Sequence, residues 1–184
     1  MEREKGYELL KNNVFNENLI KHCLAVEVIM RKLGDFFNED VEKWGLVGLL
    51  HDIDYEKTKE NPEKHGIVSM DILAPYNFEN DILDAIKSHN EMLGFERDTL
   101  MAKALFCTDQ LSGLVVASTL VLPSKKIQDL TVDSIMKKFK EKSFAKGAKR
   151  ENILLCETEL NIKLEDFIGL ALESMQSISN GIGL

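Results

Sequence analysis

Leu46-Val47-Gly48-Leu49-Leu50-His51-Asp52-Ile53-Asp54 decides how this chain is read. An apolar run leads directly into a histidine and a carboxylate side by side. Neither polar group belongs at the end of a buried segment unless something compensates it. A divalent cation does so, because imidazole nitrogen and carboxylate oxygen are both good ligands for such ions. The rest of the chain then becomes a frame that brings further ligands to this pair.

Outward from that stretch, helical spacing recurs almost everywhere, and no apolar–polar alternation lasts six residues, so the expected class is all-α. A helix is expected from about Asn16 to Leu33, with Leu19, Cys23, Val26, Met30 and Leu33 on its apolar stripe, His22 at the border and Gly34 at its end. The next helix should run from about Glu39 to Asp52, followed by a polar loop, Asp54 to Asn61. Pro62 opens a helix through Leu73 with His65 in its first turn. Glu79 or Asn80 opens another, with Ile82, Leu83, Ala85 and Ile86 inward and His89 near its C-terminal end. The helix from about Asp98 to Leu122 is the most hydrophobic, and Leu105, Asp109, Ser112 and Val116 share one of its stripes. A last helix is expected at about Leu164 to Ser179. We read residues 1–184 as a single domain, with a metal-binding core at about 16–120 and a C-terminal helical cover at about 124–184.

With 184 residues, 44% hydrophobic and 29% charged, the chain can bury a real core. Its net charge of -8 argues against a nucleic-acid polymer as partner. It leaves a small phosphorylated substrate open, since a metal supplies positive charge locally. The three cysteines, Cys23, Cys107 and Cys156, are odd in number and far apart, which fits a reducing cytoplasm. The charged start carries no apolar stretch, so no signal peptide is expected. The longest uncharged run, Gln110 to Ser124, is short of the roughly 20 residues that span a bilayer, so no membrane partner is expected. The oligomeric state stays open, a homodimer included.

All four histidines, His22, His51, His65 and His89, fall in the N-terminal half, at expected helix ends or at the edge of apolar faces. Each alone has a plainer reading as a satisfied core histidine, a helix-terminal cation or a surface residue. Asp109 among apolar neighbours needs a metal or a lysine. Together with Asp52 these residues offer six ligands. His22, His51, Asp52 and Asp109 can hold one ion. His65 and His89 can hold a second, with Asp52 bridging.

The order His22, then His51-Asp52 after an apolar run, then a distant Asp109, resembles the HD-domain metal-dependent phosphohydrolase superfamily. The two further histidines resemble its H…HD…H…H…D subgroup. That resemblance implies an all-helical bundle, one or two divalent ions per chain with iron or manganese favoured over zinc, cobalt or nickel, and hydrolysis of phosphate esters. A hydroxide activated by the ions would attack phosphorus, with Asp52 as the catalytic anchor. His65-Gly66, Ala85-Ile86-x-x-His89 and the run ending in Asp109 look most like bacterial hydrolases of dinucleoside polyphosphates. The Gly-Tyr-Pro signature of cyclic-dinucleotide phosphodiesterases is absent. In the frequent His-Asp-x-Gly-Lys form, Asp54 here takes the glycine position and Lys57 is the nearest lysine. The same ligand set also resembles mixed-valent di-iron oxygenases, and a non-catalytic metal- or nucleotide-binding regulatory module is a third reading. Residues 125–150 hold nine basic residues. A solvated face is their plainer reading; the functional one has Lys126, Lys138 or Arg150 reach over the cleft to substrate phosphates.

Overall fold

The chain opens with α1 (Arg3–Asn13), for which no helix was expected. Its sequence is too polar to announce itself, and Leu9 and Leu10 are its buried anchors. The structure, a computed structural model, describes residues 1–184, all helix and turn. Asn16 then caps α2 (Glu17–Phe36) by accepting from the backbone of Asn18 and Leu19. Gly34 does not end α2; it lies inside the last turns, facing Trp44 of the next helix. Asp40 caps α3 (Val41–Leu50) through the Lys43 amide.

Helices α2 and α3 pack more extensively on each other than any other pair, and Gly48 permits it. A Cβ at Gly48 would stand 2.8 Å from the Val26 carbonyl oxygen and 2.9 Å from the Glu27 Cα. Both neighbours are backbone and cannot yield. This crossing brings His22 of α2 beside His51, the residue that follows α3. Buried Glu27 reinforces the corner by accepting from Arg3 of α1 and from Arg31, four residues on.

The segment expected as a polar loop behaves differently. Residues 51–54 continue as a turn, and Asp54 is fully buried. A short α4 (Tyr55–Thr58) follows. The expected helix from Pro62 is interrupted: a single 3-10 turn covers Pro62–Lys64, the chain bends at His65-Gly66, and α5 (Ile67–Leu73) starts after it. Gly66 takes φ +89°, a left-handed conformation natural to glycine. Then α6 (Asn80–Ser88) ends at His89.

Thr99 caps α7 (Leu100–Leu120), which runs through the middle of the bundle against α2, α6 and α9 (Arg150–Glu159). By length and composition α7 is apolar enough to cross a membrane, with mean hydropathy 1.3, because it begins ten residues before the uncharged run alone would place it. Yet most of it is buried inside the protein. Between α7 and α9 lies α8 (Val132–Lys140), and α10 (Leu164–Ser177) and α11 (Ser179–Ile182) close the chain. One continuous cluster of buried apolar residues runs from Leu9 to Ile182 and joins the C-terminal helices to the rest.

Gly48→Ala is expected to destabilise the protein by about 1–3 kcal/mol, or roughly 2–12 °C in Tm, through overpacking. Gly113→Ala, at an exposed helical site where nothing lies within 4 Å, is expected to be neutral or stabilising. Thermal melts that moved equally for both would refute the close crossing.

Candidate metal centre

The six ligand candidates are delivered by five pieces of the bundle. His22 comes from the second turn of α2, His51 and Asp52 from the end of α3, His65 from the bend before α5, His89 from the end of α6, and Asp109 from the middle of α7. The structure brings all six side chains together. His22 Nε2 stands 3.0 Å from Asp109 Oδ1, 3.2 Å from His51 Nε2 and 3.6 Å from Asp52 Oδ2. His51 Nε2 is 3.6 Å from the same Asp52 oxygen and 3.7 Å from Asp109 Oδ1. On the other side, Asp52 Oδ1 is 3.2 Å from His65 Nε2 and 3.5 Å from His89 Nε2, and those two nitrogens are 2.9 Å apart.

These spacings fit divalent ions. Ligand atoms about 2.1 Å from a metal stand roughly 3.0 Å apart in an octahedron and 3.4 Å in a tetrahedron. Asp52 turns one oxygen to each group, so two clusters share it: His22, His51, Asp52 and Asp109, and Asp52, His65 and His89.

The hydrogen bonds on the far side of each ring decide which nitrogen is bare. His51 Nδ1 donates to the Gly48 carbonyl at 2.8 Å, and His89 Nδ1 to that of Ile86. His65 Nδ1 donates to Asp54 Oδ1 at 2.8 Å. Ser112 Oγ donates to the Asp109 carbonyl and faces His22 Nδ1 at 3.1 Å as acceptor. Every Nε2 lone pair therefore points at the centre, where lone pairs and carboxylate oxygens crowd together. Positive charge must sit among them, as an ion or as protons.

Without an ion, protons fill that role. Burial opposes charge on His65, but Asp52 and Asp54 outweigh it and raise its pKa to about 10. Burial also disfavours the Asp52 carboxylate, yet His51, His65, His89 and His22 hold it well below the usual range. His22 and His51 do the same for Asp109 against its burial.

The centre forms the floor of an open cleft of about 630 Å³, and the expected phosphate contacts are not on its walls. Lys57 donates to Asn13 at the end of α1. Lys126 leads into the turn at Ile127–Asp129, which bonds to Gln176 of α10. Lys138 pairs with Glu141, one turn away. The Arg150 guanidinium donates to the carbonyls of Lys138, Phe139, Phe144, Ala145 and Ala148, so it is spent on holding residues 138–148 in shape. The cations that do line the cleft are Lys59 and Lys149, the latter ion-paired with Glu91 on the same wall. Lys149 belongs to the basic segment singled out from the sequence, one residue before the arginine favoured there. Its amide donates to Gln110 Oε1, and Gln110 Nε2 donates to Asp109 Oδ2, which ties the C-terminal cover to a ligand.

Residues 19–114 match the HD domain family. The chain belongs to that family, and all six gathered residues lie inside the matched stretch. An uncharacterized protein of Methanocaldococcus jannaschii is 28% identical over 172 residues, 88% of this chain and 98% of that one. Ribonuclease Y of Lawsonia intracellularis is 26% identical over 140 residues, 74% of this chain but 27% of that protein. Ribonuclease Y of Nitratidesulfovibrio vulgaris is 29% identical over 99 residues, 54% of this chain and 19% of that protein. This chain thus spans about a quarter or less of the ribonuclease Y chains it matches. No solved structure matches it.

An ion at the Asp52–His65–His89 cluster must displace the His65 proton. That proton is bound below pH about 10, so apparent affinity is expected to rise about tenfold per pH unit between pH 7 and 9 and to fall on acidification. Manganese titrations at three pH values, with proton release measured in buffers of different ionisation enthalpy, check this; affinity independent of pH would refute it.

Proposed function

We propose that this protein is a metal-dependent phosphohydrolase acting on a small phosphate ester, with nucleotides and dinucleoside polyphosphates as the leading substrates. The observation that carries this is Asp52, buried at the floor of an open cleft with one oxygen turned to each of two imidazole-rich clusters. Iron or manganese suits such a mixed imidazole–carboxylate set. Bound there, divalent ions lower the pKa of water and neutralise charge on phosphate oxygens. The chain's own residues supply the rest. Lys59 offers a cation to phosphate oxygens beyond the centre, Lys149 does so by exchanging its partner Glu91 for the phosphate, and Phe106 and Met92 give an apolar wall for the organic part of a substrate. Membership of the HD family and the likeness to proteins named ribonucleases support chemistry at phosphorus. The net charge of -8, with Glu56 and Glu91 on the cleft wall, favours a small ester over a nucleic-acid polymer. Three buried free cysteines suit the reducing cytoplasm as its place of work.

The test is a panel of phosphomonoesters, nucleotides, dinucleoside polyphosphates and short RNA, offered to protein loaded with Mn²⁺ or, anaerobically, Fe²⁺. Turnover of a small ester is expected, falling by more than about 100-fold in Asp52→Ala, since even residues one layer behind a metal ligand cost 10–100-fold. Turnover unchanged in that variant would end the proposal. Cleavage of RNA alone would overturn the substrate class, and oxygen consumption without phosphate release would replace hydrolysis by oxygenation. Lys149→Ala is expected to raise KM about tenfold with kcat little changed, as loss of one charge-assisted contact predicts.

A further inference from the structure

Taking the cluster as a metal centre, as above, we propose that Asp54 is the positioning residue for the second ion. Its carboxylate holds His65 in the one tautomer that turns a bare Nε2 toward Asp52 and His89.

Of the six ligand candidates only His65 hydrogen-bonds the Asp54 side chain, and Asp54 is 0% exposed. Both of its oxygens are committed. Oδ2 accepts from the backbone amides of Gly66 at 2.8 Å and Ser69 at 2.9 Å, doing from a distance what a capping side chain does for α5. Oδ1 faces His65 Nδ1 at 2.8 Å. An ionised carboxylate only accepts, so the Nδ1 proton is the one retained and Nε2 is the position an ion takes.

His65 needs this help where its counterparts do not. His51 and His89 each end a helix, and each donates Nδ1 to the carbonyl three residues back in its own helix. His65 sits at a bend instead. The carbonyl three residues before it, that of Pro62, already accepts from the His65 amide and from Asn90 Nδ2. That carbonyl is taken, and the acceptor for the ring comes from eleven residues back. The bend itself depends on Gly66, where a Cβ would stand 3.2 Å from the Lys87 carbonyl oxygen. One turn, residues 51–54, thus carries both the bridging ligand Asp52 and the group that prepares its partner His65.

Asp54→Asn separates the two functions. The amide has one acceptor oxygen and an NH2. With the oxygen kept on the Gly66 and Ser69 amides, the NH2 meets Nδ1 donor to donor. The ring relieves the clash by moving its proton to Nε2, which then cannot ligate.

The experiment counts bound Mn²⁺ and measures the affinity of each site in wild type, Asp54→Asn, His65→Ala and the double variant. It also reads the His65 tautomer by imidazole ¹⁵N NMR in the Zn²⁺-loaded protein. Two ions are expected in wild type, with His65 carrying its proton on Nδ1. In Asp54→Asn the affinity of the second ion should fall about 10–100-fold, that of the first should stay within about threefold, and the His65 proton should move to Nε2. In the His65→Ala background, Asp54→Asn should change metal binding no further. Two ions at wild-type affinity in Asp54→Asn, equal loss of both ions, or wild-type His65 protonated on Nε2 would each overturn the role of Asp54. The last is read on wild type and stands even if the variant fails to fold. A wild type that takes up only one ion would overturn the two-ion centre itself, and this role with it.

Discussion

Four imidazole lone pairs and two carboxylates face one another across 2.9–3.7 Å at the floor of the cleft. No uncharged filling tolerates that arrangement: the oxygens repel, and so do the bare nitrogens. Positive charge at the centre is the condition under which the site exists, and the rest of the fold serves to hold the six groups against their mutual repulsion. Buried polar groups of this kind are tolerated only when each is satisfied. Here every ring is fixed from behind, and Gln110 steadies Asp109.

The frame is economical in where it takes its ligands. His51 and His89 sit at helix ends, where a carbonyl of the last turn is free to receive Nδ1. Asp52 follows His51 directly. The tight α2–α3 crossing at Gly48 sets His22 against His51, and α7 supplies Asp109 from across the bundle. The C-terminal cover then joins from the side through Gln110 and Lys149, with Arg150 holding the loop before α9. A segment whose charge pattern reads as a solvated basic face therefore contributes one cation to the cleft and spends another on its own backbone.

The cluster of candidate ligands was legible in the sequence because its members announce themselves by incongruity. His51-Asp52 closes an apolar run, Asp109 interrupts an apolar stripe, and the chain has no other histidines to account for. Helix positions were legible for the same reason of periodicity, apart from α1, α4, α8 and α9: α1 and α9 have apolar residues too few or too evenly spread to mark a face, and α4 and α8 lie in stretches dominated by charge. Asp54 was not legible. It stands in a run of polar residues, Asp-Tyr-Glu-Lys-Thr-Lys-Glu-Asn, that has every mark of a solvated loop. Only its proximity to Asp52 hinted otherwise. The choice among lysines was equally closed, since a side chain with four rotatable bonds reaches whatever the fold places near it.

From the order of its residues alone, this chain determined that it is helical, which side chains are chemically out of place, and which ion-binding chemistry would accommodate them. Those properties follow from local spacing and from the cost of burying a polar group, and both are written in neighbouring residues. The tertiary structure alone decided that Asp52 divides its oxygens between two clusters, that Asp54 stands behind His65, and that Lys59 and Lys149 flank the cleft in place of Lys57, Lys126, Lys138 and Arg150. These depend on distances between groups far apart in the chain, which are set by how helices cross and where a backbone bend such as Gly66 turns.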